Sequence, residues 1–126
     1  MVTKTAAALP DKIRNNLNNR GMSEGIRAVI KTDFKPNDTI PFIWLVATDQ
    51  SLLFCCTHKT RGVFKTIPWE SISEVRRNGV RDGALSIEII YVSLDVQTDL
   101  LALPPSVSRL ELEIFISACS DAMNCG

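Results

Sequence analysis

The chain contains a single histidine, His58, among its 126 residues, and its six glycines are isolated from one another. The histidine falls in a predicted turn, so the sequence indicates no Ser-His-Asp, Cys-His or two-histidine arrangement. Isolated glycines form no loop that could cradle a phosphate. The acids Glu88, Asp95, Asp99 and Glu113 are scattered without the spacing of a catalytic pair. We therefore expect no enzyme, no catalytic residue and no cofactor.

The sequence also lacks an excess of charge of either sign, because fourteen basic residues balance fourteen acidic ones. A balanced chain has no overall field that would draw it onto nucleic acid, so we expect no nucleic-acid partner. The tryptophans Trp44 and Trp69 are accordingly predicted to pack in the core and not to stack on bases.

Long hydrophobic runs are absent, and the four cysteines show no C-x-x-C or zinc-type spacing. No stretch approaches the 18 or so apolar residues of a membrane span, and the run Ala6–Leu9 is too short for a signal-peptide core. We expect a cytoplasmic protein with reduced thiols and no bound metal.

Apolar residues make up 45% of the chain and charged residues 22%, which is ordinary for one folded domain over 1–126. In the extension 1–21, the apolar residues Leu9, Ile13 and Leu17 recur at helical spacing, with Gly21 suited to end the helix. Over 24–103 the period changes to two. Strands are predicted at about 26–31, 40–47, 52–57, 62–67, 72–77, 84–92 and 96–103. Residues typical of turns separate them, among them Thr48-Asp49-Gln50 and Asn78-Gly79.

A helix is predicted over 108–123, after Pro104-Pro105 ends the last strand. Ser108 and Glu111 have the spacing of a capping box. Apolar residues cover an arc of roughly 200° around this helix, which is more than one contact with the strands would hide. Either the N-terminal helix or another protomer should cover the remainder. The predicted oligomer interface consists of Leu112, Ile116, Cys119 and Met123.

Three segments resemble the successive strands of bacterial pleckstrin-homology-like domains. They are Gly25–Val29, Trp44–Phe54 with its Thr-Asp turn, and Ile67–Val75 with its Ile-x-aromatic-x-x-Ile step. The resemblance covers about residues 24–118 and implies a mainly β, α+β fold with flanking helices. That fold is a partly open barrel of about seven antiparallel strands, capped by a C-terminal α-helix and here preceded by a short N-terminal helix.

The chain departs from this family at two points. Ser51 stands after the Thr-Asp turn, where such domains often carry a basic residue. Only Lys31 and Lys35 flank the first hairpin, whereas eukaryotic relatives bind phosphoinositides there through a fuller set of basic residues. Specific recognition of inositol phosphates is therefore not expected.

The sequence favours a non-catalytic interaction module that acts by protein contact, either with itself or with another protein. Self-association is expected through the C-terminal helix and an exposed strand edge. The alternative is weak binding to an anionic lipid surface through Lys59, Arg61 and Lys65, with Phe64 as an apolar tip. Three basic residues would supply about 3 kcal/mol, which is too little for stable docking alone.

Overall fold

A computed structural model of the chain describes residues 9–21, 25–34, 42–57, 62–81 and 84–124. Within these residues, seven strands lie between two helices, and a 3-10 turn at Trp69–Ser71 joins the fourth strand to the fifth. In chain order the elements are α1 (Asp11–Asn19), β1 (Ile26–Lys31), β2 (Trp44–Thr48), β3 (Ser51–Cys55), β4 (Val63–Pro68), β5 (Ile72–Arg81), β6 (Ala84–Ser93), β7 (Asp95–Ala102) and α2 (Arg109–Asn124).

The strands form two antiparallel sheets, one with the order β1-β2-β3-β4 and one with the order β5-β6-β7. Each sheet is a meander, because every strand pairs with its neighbour in sequence. The predicted fold class is confirmed: the architecture is pleckstrin-homology-like, with a C-terminal helix and a short N-terminal one. The described strands do not close into a barrel.

Helix α1 begins directly after Pro10 and ends at Asn19, Arg20 is its C-cap, and Gly21 follows with φ 69°. A left-handed residue at this point is readily supplied by glycine, and the Gly21 N–H donates to Asn18 O at 3.1 Å. The predicted apolar stripe of α1 is buried: Ile13 and Leu17 are each 1% exposed.

The four-stranded sheet is covered on both faces. Its inner face packs in the main core with the three-stranded sheet and α2. On its outer face, Val29, Val46 and Leu53 pack in a second cluster with Ile13 and Leu17 of α1. A strand buried on both faces has no polar alternation, which explains the uninterrupted apolar run at 52–56.

Helix α2 begins at Arg109, one residue after the predicted start, and the Glu111 N–H donates to the capping Ser108 Oγ at 3.1 Å. Its buried residues belong to the main core, on the side of the four-stranded sheet opposite α1. Of the two covers predicted for the α2 arc, α1 is therefore wrong, and another protomer stays a prediction. Leu112 and Cys119 are each 0% exposed against the chain's own sheets, whereas Ile116 and Met123 are partly exposed.

One predicted turn lies inside a strand. The sequence Asn78-Gly79 was predicted to end a hairpin, but β5 continues through both residues to Arg81. The pairing shifts between Asn78 and Arg81, so an irregularity in the β5–β6 ladder accommodates the turn-forming dipeptide. The second strand was predicted at about 40–47. Residues 40–41 lie outside the described residues, and β2 begins at Trp44.

Candidate interaction surface

The outer face of the three-stranded sheet is divided into a charged half and an apolar half. On β5 and β6, Arg76 Nη2 lies 2.5 Å from Glu88 Oε1, and Asn78 Nδ2 donates to Glu88 Oε2 at 2.9 Å. Glu88 is 8% exposed, so these two donors compensate a carboxylate that is largely removed from water. This network is therefore structural in character.

The apolar half lies on β6 and β7, where side chains at alternate positions point away from the core. Val92 pairs directly with Val96, and Ile90 pairs with Thr98 on the same face. Val92 is 50% exposed, Val96 70% and Leu100 54%. We call the surface formed by Ile90, Val92, Val96, Thr98 and Leu100 the hairpin face. Apolar side chains that share one exposed sheet face are typical of a contact surface.

Leu94 forms the tip of this hairpin. It is fully exposed and has φ 67°, a left-handed conformation that leucine rarely adopts. Ser93 and Asp95 pair on either side of it, so a single residue makes the connection. The tightness of the turn therefore places an apolar side chain in water at the end of the hairpin face.

Strand β7 is the edge of the three-stranded sheet, and no described strand pairs with its second side. Seven of its eight residues remain exposed or partly exposed. Natural edge strands are often protected by lysine, proline or inward-pointing charges. Strand β7 has no lysine or proline, and its inward-pointing acid, Asp99, is paired with Lys65. The Ala102 carbonyl at the end of this edge accepts from the Asp33 N–H at 2.7 Å. Among the described residues, no strand uses the hydrogen-bonding groups of the preceding part of the edge.

Lys65 lies behind the edge strand, on β4, and its ammonium is already engaged. Lys65 Nζ donates to Asp99 Oδ2 at 2.6 Å and to the hydroxyl oxygen of Tyr91. It also lies 5.2 Å from the centre of the Phe54 ring, within cation–π range. Burial lowers the pKa of Lys65, but its hydrogen bonds to Asp99 and Tyr91 and the Asp99 charge outweigh this and hold the pKa above its ordinary value.

A cavity of about 180 Å³ opens beside this ion pair, lined by Phe34, Phe54, Lys65 and residues 98–101. That volume is below the roughly 300 Å³ at which pockets for organic ligands usually begin. The charges at its wall neutralise one another. The cavity therefore offers neither the size nor the unpaired charge of a ligand site.

The Thr-Asp turn and the Ile-Pro-Trp step, which carry the family resemblance, are in direct contact. Thr48 Oγ1 accepts from the Ser51 N–H at 3.1 Å and donates to Ser51 O at 2.9 Å, which fixes the turn between β2 and β3. The indole Nε1 of Trp69 donates to Thr48 O at 2.7 Å. One buried hydrogen bond therefore joins the four-stranded sheet to the turn that leads into the second sheet.

The sequence matches no family model. No curated protein matches it either. Nine chains of solved structures match. One is the solution structure of the N-terminal PH domain of human ARAP2, with 16% sequence identity, a TM-score of 0.49, and coverage of 77% of this chain and 76% of that one.

Of the residues predicted to form an anion or lipid patch, only the side chain of Lys65 lies within the described part of the chain. Lys59 and Arg61 lie outside the described residues, and so does the side chain of Phe64. Lys65 is described, and its charge is paired with Asp99. Glu113 is one of the scattered acids that lack the spacing of a catalytic pair. Its Oε1 atom lies 3.2 Å from Arg77 Nη1 and 3.5 Å from Arg109 Nε.

The described cysteines are buried. Burial, together with the neighbouring Cys56, raises the pKa of Cys55 to about 12, and burial alone raises the pKa of Cys119. Thiols with raised pKa values are weakly reactive at neutral pH. Among the described residues, no group of three or more potential ligands could hold a metal ion. Within the same residues, no helix has both the length and the apolar character needed to cross a bilayer.

Proposed function

We propose that this chain is a non-catalytic interaction module that acts by protein contact and associates with itself through β7 and the hairpin face. The observation that carries the proposal is the coincidence of an open strand edge with exposed Val96 and Leu100 on the same strand. An edge supplies backbone hydrogen bonds, and the apolar side chains supply burial.

Helix α2 offers less surface for self-association than the sequence predicted. Two of its four predicted interface residues, Leu112 and Cys119, are covered within the chain. Ile116 and Met123 retain part of their surface but pack against the main core. The apolar area free for contact is greater on the hairpin face.

Solution mass by light scattering over a concentration series tests the proposal. Wild-type protein should change from monomer to a larger species as concentration rises, and Leu100→Lys should remain a folded monomer. Leu110→Lys is a matched control, because Leu110 on α2 is 55% exposed and Leu100 is 54% exposed. It should associate like the wild type. A wild-type protein that stays monomeric throughout would refute the proposed function.

Binding to an anionic surface through Lys59, Arg61 and Lys65, with Phe64 as an apolar tip, is the alternative function. The Asp99 contact counts against a role for Lys65, because a paired ammonium attracts a phosphate weakly. Sedimentation with phosphatidylserine vesicles separates the two functions. Pelleting at low salt that disappears at high salt, by a chain that remains monomeric, would favour the alternative.

A further inference from the structure

We infer that β7 pairs with β7 of a second copy of this chain, antiparallel and about a two-fold axis at Thr98, so that two three-stranded sheets become one sheet of six strands. The inference rests on the proposed self-association and adds the register. Three independent features of β7 select this register.

The first feature is the direction of the backbone groups. Leu103 N donates to Leu85 O at 2.9 Å, and this pair continues the β6–β7 register one step beyond Ser86 and Ala102. Hydrogen-bonded residues alternate along an antiparallel ladder. Odd-numbered residues of β7 therefore bond to β6, and even-numbered ones direct their N–H and C=O groups to the open edge. The Asp33 N–H, which reaches Ala102 O from that edge at 2.7 Å, agrees with this assignment.

The same contact limits how far a second strand can pair. The Ala102 carbonyl is occupied by Asp33, and the left-handed Leu94 ends the strand at the other side. The even-numbered residues between these limits are Val96, Thr98 and Leu100. Thr98 is their midpoint, so a two-fold axis there uses all three residues of each copy and forms six backbone hydrogen bonds.

The second feature is the placement of acidic residues. An axis at Thr98 places Asp99 opposite Gln97 of the second copy. An axis one residue earlier would place Asp95 opposite Asp99, and an axis one residue later would place Asp99 opposite itself. Like charges directly opposite each other destabilise a strand pair. The charges therefore disfavour both neighbouring registers.

The third feature is the fit of the apolar side chains. With the axis at Thr98, Val96 lies opposite Leu100 of the second copy, and the pair occurs twice by symmetry. Val92 and Ile90 lie beside Val96 and Thr98 within each copy. The two hairpin faces thus form one continuous apolar surface, in which each Val96 side chain lies beside Leu100 of the other copy.

Cysteine crosslinking tests the register. In a Cys125→Ser background, the described thiols Cys55, Cys56 and Cys119 remain and are buried. Thr98→Cys should form a covalent dimer with a short bismaleimide, because the two Cα atoms would be about 5.5 Å apart. Val96→Cys alone should not react between copies, because its own counterpart would lie roughly 13 Å further along the strand. An equimolar mixture of Val96→Cys and Leu100→Cys should give the mixed dimer.

The yields are measured by mass spectrometry under conditions where light scattering shows the associated state. A dimer of Val96→Cys with none from Thr98→Cys, or equal yields from all samples, would overturn the inferred register while self-association stands. A wild-type mass that never rises would instead refute the proposed function, and with it the inference. Salt-sensitive vesicle pelleting by such a monomer would instead favour the alternative function, binding through Lys59, Arg61 and Lys65.

Discussion

The hydrogen bond from Trp69 Nε1 to Thr48 O, 2.7 Å long, predicts a specific loss of stability in Trp69→Phe. Phenylalanine keeps an aromatic ring at this site, which is 6% exposed, but removes the N–H donor. A buried carbonyl that loses its partner costs about 1–3 kcal/mol. The smaller ring also leaves a space, which adds about 1 kcal/mol. We expect the free energy of unfolding to fall by about 2–4 kcal/mol.

The matched control is Trp44→Phe. Trp44 is only partly buried in the outer-face cluster, so this change removes ring area at a less buried position. Urea unfolding followed by far-ultraviolet circular dichroism suits both variants, because it does not depend on tryptophan emission. Trp69→Phe should cost about 2 kcal/mol more than Trp44→Phe. Equal costs would show that the Trp69 contact does not stabilise the junction of the two sheets.

Three further predictions concern packing, charge and backbone conformation. Leu17→Ala should lower the free energy of unfolding in urea by about 2–5 kcal/mol, whereas the exposed Lys12→Ala should change it by about 0.5 kcal/mol or less. Because the pKa of Lys65 is raised, its stabilising effect should be complete below its ordinary value of 10.5 and disappear as pH rises above it. The stability difference between wild type and Lys65→Met in thermal unfolding should shrink accordingly. Gly25→Ala should cost about 1 kcal/mol or more beyond Gly21→Ala. Both glycines have positive φ, but only at Gly25 would the added carbon lie 2.5 Å from an aspartate oxygen.

Each of these predictions has a contrary outcome. A Leu17→Ala cost no larger than that of Lys12→Ala would mean that α1 contributes nothing to stability. A wild-type to Lys65→Met difference that is constant through alkaline pH would remove the ion pair as its cause. Equal costs at the two glycines would mean that the aspartate moves aside freely.

The strand order was predictable because turn residues and apolar runs recur at short intervals along the chain. The run Leu52–Cys56 fits the burial of both faces of β3, but the sequence did not predict α1 as its second cover. A run of apolar residues shows that a strand is buried but not which helix lies on it. For that reason the sequence left two covers open for α2, either α1 or another protomer, whereas in the structure the four-stranded sheet separates α1 from α2.

Periodicity predicts least well which face of β7 turns toward the core. Alternation alone would turn Val96 and Leu100 inward and leave the acids in water. In the structure Asp99 is only partly exposed and bonds to Lys65, thirty-four positions away, and Leu101 on the same side is buried. The ion pair with Lys65 thus stabilises Asp99 on the inward face of β7. Val96 and Leu100, at the alternate positions, are then exposed on the outward face. No local pattern carries that information.

Because α1 covers one side of the four-stranded sheet, residues 9–21 belong to the smallest unit that can be handled in solution. A chain shortened to begin after Gly21 would expose Val29, Val46, Leu53 and Cys55 together on neighbouring strands. Such a surface, rich in β-branched and aliphatic side chains, promotes aggregation during refolding. Helix α1 would therefore keep the protein soluble. A variant from which residues 9–21 are removed would precipitate in part.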